Sequence, residues 1–266
     1  MKPILNESYQ LLYQKIQNEL QNVPHKQTCP HLPSDLFNHS SFWDYSSEDS
    51  KSSWDYCLSM FHSKNEIIPY VYIGMETYAL INELFNNDFQ LSLLEKERTL
   101  KFKDQEAEKK WNVIKGNELK HLQQKISFTR VISVVKNADD ENILKSKLKT
   151  PKETSLYSAV KTHEFIQLRD LPNGESEEKD QIQQWNEIKF EGIFQVIDSA
   201  INEKEPILIN CIAGRHRSAA ILIAYLIKRI GLNAQESFAY IRTKRACAIH
   251  FERSEFSKLL SNGIGL

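Results

Sequence analysis

Apolar residues along this chain recur at two spacings. Leu5, Tyr9, Leu12, Ile16, Leu20 and Val23 lie three or four positions apart, which predicts an amphipathic helix over residues 6 to 22. Phe165, Ile166 and Leu168 read as a short strand that Pro172-Asn173-Gly174 breaks into a loop. Ile182, Trp185, Ile188, Ile193, Val196, Ile197 and Ala200 return to near-helical spacing and read as one helix. Ile207 to Ile209 form a compact apolar run of strand type, and Ala219 to Ile230 an apolar helix-like segment that Gly231 stops. Asn233 with Glu236 makes an N-cap pattern for a helix through Arg245, with Phe238 and Ile241 facing inward. From Leu91 through Lys125 the chain is heavily charged, with Leu94, Leu100, Trp111, Ile114, Leu119 and Leu122 interspersed. This reads as a helix or helical hairpin broken at Gly116.

Composition narrows the class without settling it. With 266 residues, 41% of them hydrophobic, the chain suffices for one substantial core plus an extension. A net charge of −1 gives no global reason to expect nucleic acid or an anionic membrane as partner. No apolar run approaches the length of a membrane span, and Met-Lys-Pro-Ile-Leu-Asn-Glu lacks a signal-peptide core. Cysteines at 29, 57, 211 and 247 show no paired spacing, which fits a reducing, intracellular (cytoplasmic) setting. His25, Cys29 and His31 suggest a zinc corner, but no second pair of ligands follows, so no metal is expected. The N-terminal helix has only Lys2 and Lys15 as cations nearby, so packing on the domain is expected over membrane binding. Trp-Asp-Tyr occurs at 43–45 and again at 54–56 among serines and acids. It reads as a loop pinned by its aromatics, the sharper alternative being a pseudosubstrate tail.

The chemistry concentrates at residues 206 to 218, Pro-Ile-Leu-Ile-Asn-Cys-Ile-Ala-Gly-Arg-His-Arg-Ser. A strand feeding a short loop that feeds a helix aims several backbone N–H groups and the helix N-terminus at one spot. Such a concave ring of donors favours an anion. Arg217 adds a planar fork matched to two phosphate oxygens. Cys211 faces the same positive field, which suits a thiolate, the nucleophilic form of cysteine. The segment reads as a phosphate cradle with a nucleophile at its floor. Expelling an alkoxide or phenolate also needs a general acid.

The Cys211 loop resembles the signature of the cysteine-dependent protein tyrosine phosphatase superfamily, a Cys, five residues, then Arg and Ser or Thr. Ala213-Gly214 and Ser218-Ala219-Ala220 bring it nearest to the dual-specificity branch. The resemblance implies Cys211 as nucleophile and Arg217 with Ile212, Ala213, Gly214, Arg215 and His216 as phosphate-binding residues. It also implies that Ser218 aids departure of the sulfur, and that a general acid lies upstream just after a strand. Asp170 holds that position. Glu175, Glu177, Glu178 and Asp180 are competitors in a stretch that reads as a solvated acidic loop. The family usually places His immediately before the Cys, and this chain has Asn210. Ile67 to Gly74 resembles the family's opening strand, Tyr78-Ala79-Leu80-Ile81 its following helix, and Thr129 to Val135 its next strand.

The implied fold is α/β: a central, mostly parallel sheet of four to five strands flanked by helices, with the loop at the C-terminal end of the 206–210 strand. Residues 1–62 become a helical or irregular N-terminal extension and 63–266 a dual-specificity phosphatase-like catalytic domain. A charged helical insertion at about 86–126 interrupts that domain. The implied activity is hydrolysis of phosphomonoesters through a phosphocysteine, without metal or other cofactor. Phosphorylated protein is the expected substrate, on tyrosine and/or serine and threonine. The alternatives are a phosphoinositide or inositol phosphate, an RNA 5′-phosphate, and a non-catalytic phosphate-binding pseudophosphatase.

Overall fold

A computed structural model describes residues 7–22, 64–75, 126–148, 160–170, 175–212, 214–245, 248 and 255–261, with isolated positions 105, 108, 109 and 112. The elements are α1 (Glu7–Asn22), β1 (Lys64–Ile68), β2 (Val71–Met75), β3 (Arg130–Val135), α2 (Ala138–Leu148), β4 (Thr162–Gln167), α3 (Glu175–Glu187), α4 (Phe190–Glu203), β5 (Ile207–Cys211), α5 (Arg217–Tyr225), a π-helical turn (Leu226–Ile230), α6 (Ala234–Lys244) and α7 (Glu255–Ser261). The five strands form one sheet in the order β1-β2-β5-β3-β4. Only β1 and β2 are antiparallel; β2 with β5, β5 with β3 and β3 with β4 are parallel. The expected architecture is the one observed.

β5 lies at the centre of this sheet, and all five of its residues are buried. Both faces are therefore covered, as a parallel sheet requires. On one face Ile207, Ile209 and Cys211 join the main core with Ile73, Ile132 and Ala219 to Tyr225 of α5. On the other, Leu208 packs with Phe128 and Val131. Alternation along the strand puts Asn210 on this second face, opposite Cys211.

The N-terminal helix belongs to the body of the protein. Ile16 is fully buried in the main core. Tyr9 donates to the Asp198 carboxylate at 2.6 Å, a group that also accepts from Tyr225 at 2.8 Å and Arg229 Nε at 3.0 Å. Gln17 donates to Glu236 at 2.9 Å and Lys244 pairs with Glu19 at 2.6 Å, so α1 also braces α6. The capping box at Asn233 forms as expected, with both reciprocal bonds to Glu236 present. Gly231 ends the π-turn at φ 85°.

Three expectations are corrected. The apolar run at 67–74 is a hairpin, because Pro69 cannot donate to a ladder and Tyr70 turns the chain at φ 68°. The helix expected through Ile182 to Ala200 is two helices. The break at Ile188-Lys189 lets Trp185 and Phe190 meet at 4.9 Å, both buried. The acidic stretch 175–180 is helix, since acids are favoured in a first turn. An unforeseen helix, α2, starts where Asn137 Oδ1 accepts from the Asp140 N–H at 2.9 Å. The helix expected from Tyr78, almost all of the charged insertion, the His25-Cys29-His31 cluster and both Trp-Asp-Tyr triplets fall outside the described residues.

Removing the anchor of α1 should be costly. Ile16→Ala is expected to lower the unfolding free energy by about 2–5 kcal/mol, read from urea denaturation; a loss below half a kcal/mol would contradict the burial of α1.

Candidate active site

The β5 strand ends at Cys211 and α5 begins at Arg217, so the intervening loop is short and its ends are held by the two most buried elements. The Gly214 N–H crosses the loop to the Cys211 carbonyl at 3.2 Å, which closes it into a tight turn. Gly214 sits at φ 60°, and a Cβ there would drive into the Gly74 carbonyl and approach Arg245 Nη2 at 2.7 Å. Only glycine satisfies both demands.

Inside the turn, Cys211 is 3% exposed and its Sγ lies 3.3 Å from Ser218 Oγ. Arg217 is 4% exposed, yet neither Nε nor Nη1 has a hydrogen-bond partner among the described residues. The nearest carboxylate, Asp170 Oδ2, is 3.8 Å from Nε: within ion-pair range, too long for a hydrogen bond. Burying a guanidinium with unpaired donors is unfavourable. A tetrahedral oxyanion is the ligand whose geometry answers it. Asp170 follows β4 and is 39% exposed by its side chain. Its Oδ1 lies 3.1 Å from His216 Nδ1, and so faces the loop across the end of β3.

The structure therefore brings Asp170, Cys211, Arg217 and Ser218 together, with His216 and the half-buried Arg215 on the same loop. Ile212 is 58% exposed, and Ala213 lies outside the described residues. Three of the four competing acids are paired elsewhere: Glu177 and Asp180 with Arg169 at 2.6 and 3.6 Å, and Glu178 with Lys258 at 3.7 Å.

Sequence reasoning missed the supports. Arg245, fully buried just past α6, donates through Nε to the Gly214 carbonyl and through Nη1 to Asn65 Oδ1 at 2.7 Å. It ties the loop to β1. Its signal was weak, an Arg in a basic helix end. A second support runs across the sheet below Asn210. Ser133 Oγ donates to Asn210 Oδ1 at 2.9 Å, so its oxygen accepts from His163 Nε2 at 2.7 Å. These side chains come from β5, β3 and β4, one from each, and share the face opposite Cys211. Burial, with the Lys145 ammonium adding repulsion, pushes the His163 imidazole down to about 4. The residue preceding Cys211 is thus oriented through two neighbouring strands.

Comparison with known proteins identifies the family. The family described as "Dual specificity phosphatase, catalytic domain" matches residues 111–261, more than half of the chain. This chain belongs to the dual specificity phosphatase catalytic-domain family. Among curated relatives it is 31% identical over 58 residues to the protein-tyrosine-phosphatase IBR5 of Arabidopsis thaliana, covering 22% of this chain and 23% of that protein. It is also 31% identical over 62 residues to dual specificity protein phosphatase 1 of the same plant, covering 23% and 31%. The matches thus span between about a quarter and a third of those relatives. The crystal structure of human tyrosine phosphatase-like serine/threonine/tyrosine-interacting protein aligns over 75% of this chain and 94% of its own at 18% identity, with a TM-score of 0.43.

Two measurements test the supports. Gly214→Ala is expected to cost about 1–3 kcal/mol from the left-handed φ alone and to abolish vanadate binding, read by calorimetry. The His163 imidazole has an ordinary value near 6.5 in the unfolded chain and about 4 in the fold. As pH falls from 6.5 toward 4 the unfolded chain takes up this proton first. Stability is therefore complete above the upper value, and up to about 3 kcal/mol is lost across the window. Denaturation midpoints from pH 7 to 4 should show a decline that His163→Gln flattens.

Proposed function

We propose that this protein hydrolyses phosphomonoesters on proteins through a phosphocysteine. The observation that carries this reading is the buried guanidinium of Arg217 in the Cys211 loop, its Nε and Nη1 without hydrogen bonds and the Asp170 carboxylate 3.8 Å from Nε. Family membership supports it independently.

The groups divide the reaction between them. The Cys211 thiolate attacks phosphorus in line with the ester oxygen, forming the S–P bond as the P–O bond breaks. Arg217 and the loop's backbone donors hold the equatorial oxygens, where negative charge gathers. Preorganised electrostatics thus supply most of the acceleration. Protonated Asp170 gives its proton to the departing phenolate or alkoxide. The resulting carboxylate takes a proton from water, whose oxygen attacks phosphorus and breaks the S–P bond. Ser218, 3.3 Å from the sulfur, donates to the departing thiolate. Phosphate leaves, and Cys211 and Asp170 are restored. No step uses a metal.

The substrate proposed is phosphorylated protein, on tyrosine and/or serine and threonine. A polyphosphorylated inositol ring carries further anions that need cations near the reacting centre. Arg215 and His216 make this loop basic, but the position directly after Cys211 exposes the apolar Ile212.

Turnover of an aryl phosphate in the presence of EDTA tests the assignments. Wild type should be active, Cys211→Ser inactive, and Asp170→Ala reduced by about 10²–10⁴. A Cys211→Ser variant that keeps turnover would end the proposal. A wild type that binds phosphopeptide without hydrolysing it would make the protein a phosphate-binding module.

A further inference from the structure

Asp170 lies on the segment that leaves β4, and its backbone is held by α3. Gln181 of α3 is 1% exposed. Its amide nitrogen donates to the Asp170 carbonyl at 2.8 Å and to the Arg169 carbonyl at 3.1 Å. One turn on, Gln184 Oε1 accepts from the Arg169 N–H at 2.6 Å. The Arg169 guanidinium pairs with Glu177 at 2.6 Å on the same helix. The two peptide units flanking the candidate acid are therefore fixed by side chains of one helix.

We infer that Gln181 and Gln184 form a clamp that positions the general acid, and that Gln181 is its principal residue. This rests on the reading of Asp170 as the acid. The physical ground is the number and direction of the donors. A Gln amide offers two N–H groups, and Gln181 directs both at consecutive carbonyls, an arrangement that fixes direction as well as distance. The carboxylate at the far end already contacts His216 and lies 3.8 Å from Arg217. With the backbone pinned on one side and the loop on the other, the reach of Asp170 toward a leaving oxygen is set by α3. Position matters because proton transfer requires the acid within hydrogen-bond distance of the oxygen it protonates, and small misplacements are costly. Gln181 touches neither the cradle nor the reacting atoms, so its effect should appear only in steps that use the acid.

Leaving-group dependence reads that property directly. Phenyl phosphate expels a basic phenolate and needs the acid; a fluorinated coumarin phosphate expels a weakly basic one and scarcely needs it. Gln181→Met keeps the bulk and removes both donors, and Gln181→Ala removes the group altogether. Each is expected to lower kcat/KM, which ends at P–O cleavage and so excludes the later water step that Asp170 also serves, by about 10- to 100-fold on phenyl phosphate while changing kcat/KM on the coumarin ester less than about threefold, with vanadate binding retained. Asp170→Asn should show the same selectivity with a larger loss. Equal losses on both esters, or none on either, in the Gln181 variants would overturn the clamp. If Asp170→Asn shows selective loss and the Gln181 variants do not, the clamp alone fails. Absence of selectivity in Asp170→Asn would remove Asp170 as the acid, and the clamp with it.

Discussion

A guanidinium held almost entirely out of water with two of its nitrogens unpaired is the constraint around which this structure is arranged. Arg217 is the first residue of α5, so the positive end of that helix adds to its charge. Nothing within the described fold neutralises it at hydrogen-bond distance. Such a group is tolerated only where its neighbours leave it no other conformation, and every residue of α5 is buried. The stability given up there becomes affinity for whatever anion enters. An oxyanion brings the missing acceptors, and the buried setting strengthens each bond it makes.

Sheet topology decides what can meet that anion. β5 is the central strand, and its C-terminal end delivers Cys211 to the mouth of the loop. β4 is an edge strand with β3 between, so the chain leaving it must lean across the end of β3 to bring Asp170 within reach of His216 and Arg217. That lean is an exposed excursion. The glutamines of α3 hold its backbone. On the other flank, Arg245, itself held by Asn65 Oδ1, donates to the Gly214 carbonyl and ties the loop to β1. Three remote elements, α3, α6 and β1, thus fix groups that lie within a few ångströms of one another.

Much of this was legible in the chain. The run Ile207 to Ser218 carries its own geometry, because an apolar strand, a glycine turn and an apolar helix in that order leave one arrangement of Cys211 and Arg217. Asp170 was legible because the resemblance puts the acid on a loop just after a strand, and Pro172-Asn173-Gly174 mark where the run Phe165 to Leu168 breaks. The supports were not. Arg245 looks like any basic residue at a helix terminus, and its burial follows from β1 lying beside α6, a long-range fact. Gln181 and Gln184 sit in a polar helix that periodicity alone reads as a solvated face. Ser133 and His163 each resemble an ordinary polar interruption of a strand. Their hydrogen bonds exist only once β3 lies between β4 and β5. The hairpin turn at Pro69-Tyr70 was missed for a local reason, since the apolar residues on both sides of Pro69 disguised it as one strand.

The central claim is that Cys211 carries the phosphoryl group during turnover. Acid-quenching the reaction in its first turnovers and weighing the proteolytic peptide that contains Cys211 tests it most directly. A fraction of that peptide heavier by one phosphoryl group, absent without substrate and absent in Cys211→Ser, is the result expected. Steady turnover with that peptide always unmodified, or with the phosphoryl group found on another residue, would contradict the account.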